Sequence, residues 1–174
     1  MSEWWDAIAG GLTDELAVDP ASLELGVRGV FRLILAAALG AVFGWERELH
    51  HKAAGLRTHM LVAMGSAVAV VAGFEAGMNS GDLSRIVQGL VAGIGFLGGG
   101  VILKHTETND IRNITTAAGI WMTAAIGIMA GLGRTWTAVI ATLLGFAVLY
   151  VMRRLEQRFR PPPKHRGEPH DSSD

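Results

Sequence analysis

Five long apolar stretches constrain this chain more than any other feature of its sequence. They run from Leu25 to Trp45, Thr58 to Phe74, Ile86 to Leu103, Ile114 to Leu132 and Thr135 to Met152. About 20 apolar residues in helical form cross the hydrocarbon layer of a bilayer. No water is present there to satisfy an amide or carbonyl, so each stretch must be a helix bonded to itself. The expected fold is all-α, a multi-pass transmembrane bundle of about five helices. A soluble bundle is the alternative, but five such stretches leave too little polar surface to dissolve it. Of the 174 residues 50% are hydrophobic, 18% are charged and 23 are glycine, a bias that suits closely packed membrane helices.

Cytoplasmic segments of membrane proteins carry the excess of lysine and arginine, and this gives the chain a direction. On one side fall Arg47, Lys52 and Arg57, then Lys104 and Arg112, then Arg153, Arg154, Arg158, Arg160, Lys164 and Arg166. The other side has Arg85 and Arg134, while the first 24 residues are acidic. The N-terminus is therefore expected outside and the C-terminus in the cytoplasm. Residues 1–24 read as a periplasmic leader, in which Trp4, Ile8, Leu12 and Leu16 could form an amphipathic interfacial helix. Residues 25–155 form the membrane domain, and 156–174 a proline-rich, charged tail expected to be disordered. Only Gly133 and Arg134 separate the last two spans, which must form a tight hairpin.

A net charge of −1 argues against a nucleic-acid partner, and zero cysteines exclude disulfides and thiolate chemistry. Enzymatic function is not expected either: Ser66 in MGSA lacks the second glycine of a nucleophile elbow, and no phosphate-binding glycine loop with lysine occurs.

Charged groups within spans are costly and so mark function or structural pairing. Arg28 and Arg32 share one face of the first span, and Glu75 ends the second at about the depth of Arg28. An ion pair between these spans is the plain reading; an ion or proton route through Arg32 and Glu75 is the functional one. In the third span six of the twelve residues from Gly89 to Gly100 are glycine. Glycine weakens helices, so such density implies either close packing at Gly89/Gly93 and Gly95/Gly99 or a loosened helix lining a polar path. Gly40/Gly44 and Gly127/Gly131 repeat the spacing and support a tight bundle or a dimer contact.

The loop after the first span concentrates Glu46, Arg47, Glu48, His50, His51, Lys52, Arg57 and His59. These groups read as a solvated turn meeting anionic lipid, or through Glu46 and Glu48 as oxygen donors for Mg²⁺. Asn113, Thr115 and Thr116 open the fourth span as helix-capping groups, at a helix end suited to a nearby carboxylate.

Three blocks, GWERELHHKAAGLRTHMLV, RIVQGLVAGIGFLGGGVIL and IRNITTAAGIWMTAAIGIMAGLG, resemble in order and spacing the MgtC/SapB family over about residues 30 to 150. The resemblance implies a bacterial inner-membrane protein of about five spans linked to magnesium homeostasis. Some members support survival in macrophages at low magnesium, and some restrain ATP synthase. Carried over by motif, it points to Glu46, Arg47, Gly55, Leu56, Arg57 and Thr58, then to Gln88, Gly93, Gly95, Phe96 and Gly98, and to Thr116, Ala117 and Ala118. Asn113 stands where glycine is usual, and Gly99 where alanine is frequent. Virulence-associated members carry a further folded cytoplasmic domain; this chain has a short polar tail in its place, so a virulence role is not expected. Two functions remain open at this point. One is transport of Mg²⁺ or another cation; the other is regulation of a membrane partner, or of a second copy in a homo-oligomer, through small-residue helix faces.

Overall fold

The structure, a computed structural model, describes residues 4–5, 20–103 and 113–159. Five helices follow one another in it: α1 (Pro20–Leu49), α2 (Leu56–Glu75), α3 (Ser80–Leu103), α4 (Ile114–Gly131) and α5 (Thr135–Phe159). All five are long and apolar enough to cross a membrane, and no strand occurs among the described residues. Large apolar side chains such as Phe31, Ile34, Leu61 and Leu144 lie on the outside of the bundle. In water that surface would drive association; in hydrocarbon it is the solvated face. Most of the leader and all of the residues from Arg160 onward lie outside the described residues, as do Lys104 and Arg112. Within the leader, Trp4 and Trp5 stack with ring centroids 4.4 Å apart.

Helix ends differ from the sequence expectation in an instructive way. The first helix begins at Pro20, whose fixed φ suits a first turn, and runs on through Glu46, Arg47 and Glu48. Those charged residues therefore belong to the last turn of α1 and not to a loop. Arg57, Thr58 and His59 likewise open α2. The third helix starts at Ser80, six residues ahead of Ile86, because Asn79 caps it. The Asn79 side-chain oxygen accepts from the amides of Gly81 at 2.8 Å and Asp82 at 3.1 Å, while its amide donates to the Asp82 carboxylate at 2.6 Å.

The turn between α4 and α5 places Gly133 at φ +74°, and the Arg134 amide reaches back to the Met129 carbonyl at 2.9 Å. A left-handed residue just past a helix closes the orphan carbonyls, which is how two residues suffice for the hairpin. Gly77 at φ +68° ends α2 in the same manner.

The shortest helix, α4, is the centre of the bundle and touches each of the other four. Its neighbours approach so closely because the buried positions are small: Ala36, Ala63, Ala67, Ala130 and Ala138 form the core with Phe43 and Ile126. Glycine sharpens this effect at particular places. A Cβ on Gly40 would stand 2.6 Å from the His59 carbonyl oxygen, and one on Gly44 2.5 Å from the Leu56 Cα. In lipid, where burial of apolar surface gains nothing, this backbone-to-backbone contact is what holds helices together. Buried hydroxyls in the core are satisfied locally, Ser66 by Val62, Thr123 by Gly119 and Thr142 by Ala138, each at 2.8 Å to a carbonyl one turn back.

Candidate functional site

The third-span glycines behave differently from those of α1 and α4. Nothing lies within 4 Å of a Cβ built on Gly89, Gly93, Gly95, Gly99 or Gly100. Gly98 alone turns inward, where a Cβ would rest 3.6 Å from that of Ala117. Close packing inside the bundle is thus carried by Gly40, Gly44, Gly127 and Gly131, while most of the glycine-rich segment faces outward along with Gln88. The helix is continuous through it, so no broken segment lines a path.

At the end of the bundle where α2 finishes, the expected pairing of α1 with α2 is replaced by other contacts. Arg28, exposed, pairs with Glu24 one turn back on its own helix. Its longer reach to Glu75 loses to this local partner, because an exposed pair gains little from either choice and the nearer one orders less chain. The Glu75 carboxylate rests instead against Gly29. Arg32 donates from Nη1 to the Gly131 carbonyl at 3.0 Å and lies over the Phe74 ring at 5.5 Å. A cation at the C-terminal carbonyls of α4 answers both the orphan acceptors and the negative end of the helix dipole. Arg32 is therefore engaged with the end of α4 and with the Phe74 ring. Arg85 is exposed and reaches only Asp82 at 3.7 Å.

The opposite end brings charges together inside the protein. Glu46 and Arg47 are 8% and 4% exposed, so the helix turn carrying them is buried against α4 and α5. Arg47 Nε lies 2.9 Å from Glu46 Oε2, yet neither atom has a hydrogen bond, which makes this a charge contact without alignment. Glu46 Oε1 also faces Arg153 Nη1 at 3.6 Å and His50 Nε2 at 3.7 Å. Arg153 arrives from α5, and sequence reasoning used it only as a count of cytoplasmic charge. The signal was available: a carboxylate in the last turn of α1 needs a cation, and five alternating spans put the basic end of α5 beside it.

Glu48 has a separate role. Its carboxylate oxygen accepts the Leu56 amide at 2.9 Å, capping α2 from across the loop. A Cβ on Gly55 would collide with that carboxylate, so Gly55 is the residue that lets Glu48 in. We predict that Glu48→Ala and Gly55→Ala each cost about 1 kcal/mol, the usual value of a helix N-cap. The double variant should cost no more than either single one, which thermal unfolding in detergent will show if both act through this cap.

Mg²⁺ prefers carboxylate oxygens at 2.0–2.1 Å in a near-octahedral set. The two carboxylates have different partners here, and two guanidinium groups already balance Glu46. Among the described residues no cluster of three or more His, Asp or Glu gathers. This donor set does not fit a resident divalent ion.

The start of α4 also departs from simple capping. Asn113 occupies the N-cap position at φ +68° with no side-chain cap bond. That left-handed conformation suits glycine and asparagine above other residues, which gives a physical reason for asparagine where the resembling sequences have glycine. Thr115 lines a cavity of about 660 Å³ with Glu46, Arg47 and Arg153, while Thr116 is buried. Arg57 and Thr58 are exposed. His59, read from the sequence as part of a solvated turn, is placed quite differently. It is wholly buried, its Nδ1 lies 2.9 Å from the Gly55 carbonyl, and its Nε2 faces Gly119 without a partner.

Known proteins place this arrangement. Residues 33–158 match the model of the MgtC family. Protein SrpB of Synechococcus elongatus is 41% identical over 138 residues, covering 73% of this chain and 76% of SrpB. Protein MgtC of Salmonella typhimurium is 38% identical over 134 residues, 77% of this chain and 56% of that protein. Protein MgtC of Brucella abortus is 41% identical over 134 residues, 76% of this chain and 54% of that protein. The chain thus spans little more than half the length of these MgtC proteins. No solved structure matches. With a bundle of five membrane-length helices and a match that runs from within α1 nearly to the end of α5, the chain belongs to the MgtC family.

Proposed function

We propose that this multi-pass membrane protein works in the bacterial inner membrane, its basic C-terminal end in the cytoplasm, as a regulator linked to magnesium homeostasis. It binds another membrane protein, such as ATP synthase, or a second copy of itself, and changes that partner without carrying solute. The observation that carries this reading is the outer face of α3. Gly89, Gly93, Phe96 and Gly100 follow at intervals of four, three and four, so they share one side of the helix. The glycines there meet nothing within 4 Å, and Phe96 is 83% exposed, the most exposed large apolar side chain among those described.

Each glycine costs a helix about 0.8–1.0 kcal/mol relative to alanine, a penalty that a lipid-facing position does not return. A protruding ring beside flat patches is instead a shape that a second helix can fit, the flat patches admitting its backbone. The core supports the same reading from the other side. The hydroxyls of Ser66, Thr123 and Thr142 are satisfied by their own helices, and the only buried carboxylate among the described residues, Glu46, is held by cations.

Gly93→Leu should abolish co-purification with the partner or with a differently tagged copy, while the isolated chain loses no thermal stability. Purified chain in liposomes should pass no Mg²⁺. An unaltered complex with Gly93→Leu, or a flux that Glu46→Ala removes, would overturn the proposal.

A further inference from the structure

The cavity at the basic end lies between the C-terminal turns of α1 and α5 and the first of α4, and its lining has two kinds of side chain. The apolar wall is the stretch Val148, Leu149 and Met152 of α5, joined by Leu49 of α1. Arg47, Lys52 and Thr115 line the cavity as well, and Arg153 follows Met152 on α5 itself. Among the described residues of the lining Glu46 and Glu156 are the carboxylates, so three fixed cations face two anions there even with His50 and His51 neutral.

Two of those cations want an acceptor. Among the described residues Arg47 Nε and Arg153 Nη1 are buried without a hydrogen-bond partner, and Arg47 as a whole is 4% exposed. Glu46 does not meet the need: it stands 3.6 Å from Arg153 Nη1, too far, and its contact with Arg47 Nε is not aligned. Buried charged donors left without acceptors are expensive, and the oxygens of a phosphate would satisfy them with charge-assisted bonds. The apolar wall decides what carries that phosphate. Val148 and Met152 are exposed and continue into the outward surface of α5 through Val151 and Leu144, the surface that hydrocarbon covers. An acyl chain can run along it into the cavity, whereas a free anion gains nothing from it. The depth agrees as well, since the cavity sits where the apolar part of α5 gives way to Arg153 and Arg154.

We propose that this cavity holds one anionic phospholipid: its phosphate accepts from Arg47 and Arg153 with Lys52 at the rim, and an acyl chain lies along Val148, Leu149 and Met152. The site is separate from the α3 face and does not depend on the regulatory reading above.

The test is thermal unfolding of the full chain in neutral detergent, titrated with phosphatidylglycerol, phosphatidylcholine or inorganic phosphate. Phosphatidylglycerol should raise the midpoint saturably and the other two should not. Lys52→Gln and Arg153→Gln should each weaken the apparent affinity about fivefold, the effect of removing one basic side chain from an anionic surface. Val148→Trp should weaken it with no change of charge. Arg153 also balances Glu46, so the exposed Lys52 and Val148 keep the test decisive should Arg153→Gln fail to fold. An equal shift with phosphatidylcholine, an equal shift with inorganic phosphate, or unchanged affinity in both Lys52→Gln and Val148→Trp would overturn the assignment.

Discussion

Adding one methyl group at Gly127 should strongly destabilise the bundle in detergent, whereas the same change at Gly89 should not. A Cβ on Gly127 would stand 2.1 Å from the Ala63 carbonyl oxygen and 2.8 Å from its carbon. Both atoms are backbone in the middle of α2, so neither can swing aside as a side chain would. The helices must separate instead, and the contact of Gly131 with Ala67 one turn on is lost with them. Overpacking of this kind costs about 3 kcal/mol or more when no rotamer can absorb it. At Gly89 there is only open space, and alanine there gains up to about 1 kcal/mol of helix propensity. Circular dichroism melts of Gly127→Ala and Gly89→Ala should therefore move in opposite directions. Equal midpoints would mean that α2 and α4 do not meet as described.

The second large effect is expected at Glu46. Glu46→Ala removes the carboxylate that lies 2.9 Å from the buried Arg47 Nε, and breaking one side of a buried pair typically costs about 3–5 kcal/mol. Replacing both partners, Glu46→Leu with Arg47→Met, should recover most of that loss, because desolvation of the pair is removed together with its attraction. Unfolding titrations of the two single variants and the double variant give the coupling directly. If Glu46→Ala were as stable as the parent chain, the charge cluster at this end would have no structural role.

The architecture was readable because hydrocarbon allows few choices. Five apolar runs of spanning length, the Gly133 hairpin and the spacing of Gly40/Gly44 and Gly127/Gly131 each follow from a local rule. What spacing does not state is the direction in which a helix face points. Gly89/Gly93 and Gly127/Gly131 have the same separation, yet the second pair is pressed against α2 and the first is open, a difference set by the rotation of whole helices. The same limit explains the charged residues. Proximity in depth suggested Arg28 with Glu75, but Glu24 is one turn away on the same helix. One local signal was present and not used: Asn79 followed by Asp82 three residues later, which starts α3 early; the left-handed turn at His51, φ +50°, that follows α1 has no such sequence mark. Placing Glu46 and Glu48 in a loop hid the fact that helical neighbours two apart face different ways.

The central place of α4 has a consequence for the bilayer itself. With 18 residues it rises about 27 Å, slightly less than a typical hydrocarbon layer, while α1 with 30 residues rises about 45 Å. A span that short would thin the surrounding lipid if it stood alone, but four helices pack against it and take most of that boundary on themselves, leaving a face at Ile114 and Trp121. Changes in membrane thickness then act on the long peripheral helices, which can tilt, and the register between α2 and α4 is insulated from them.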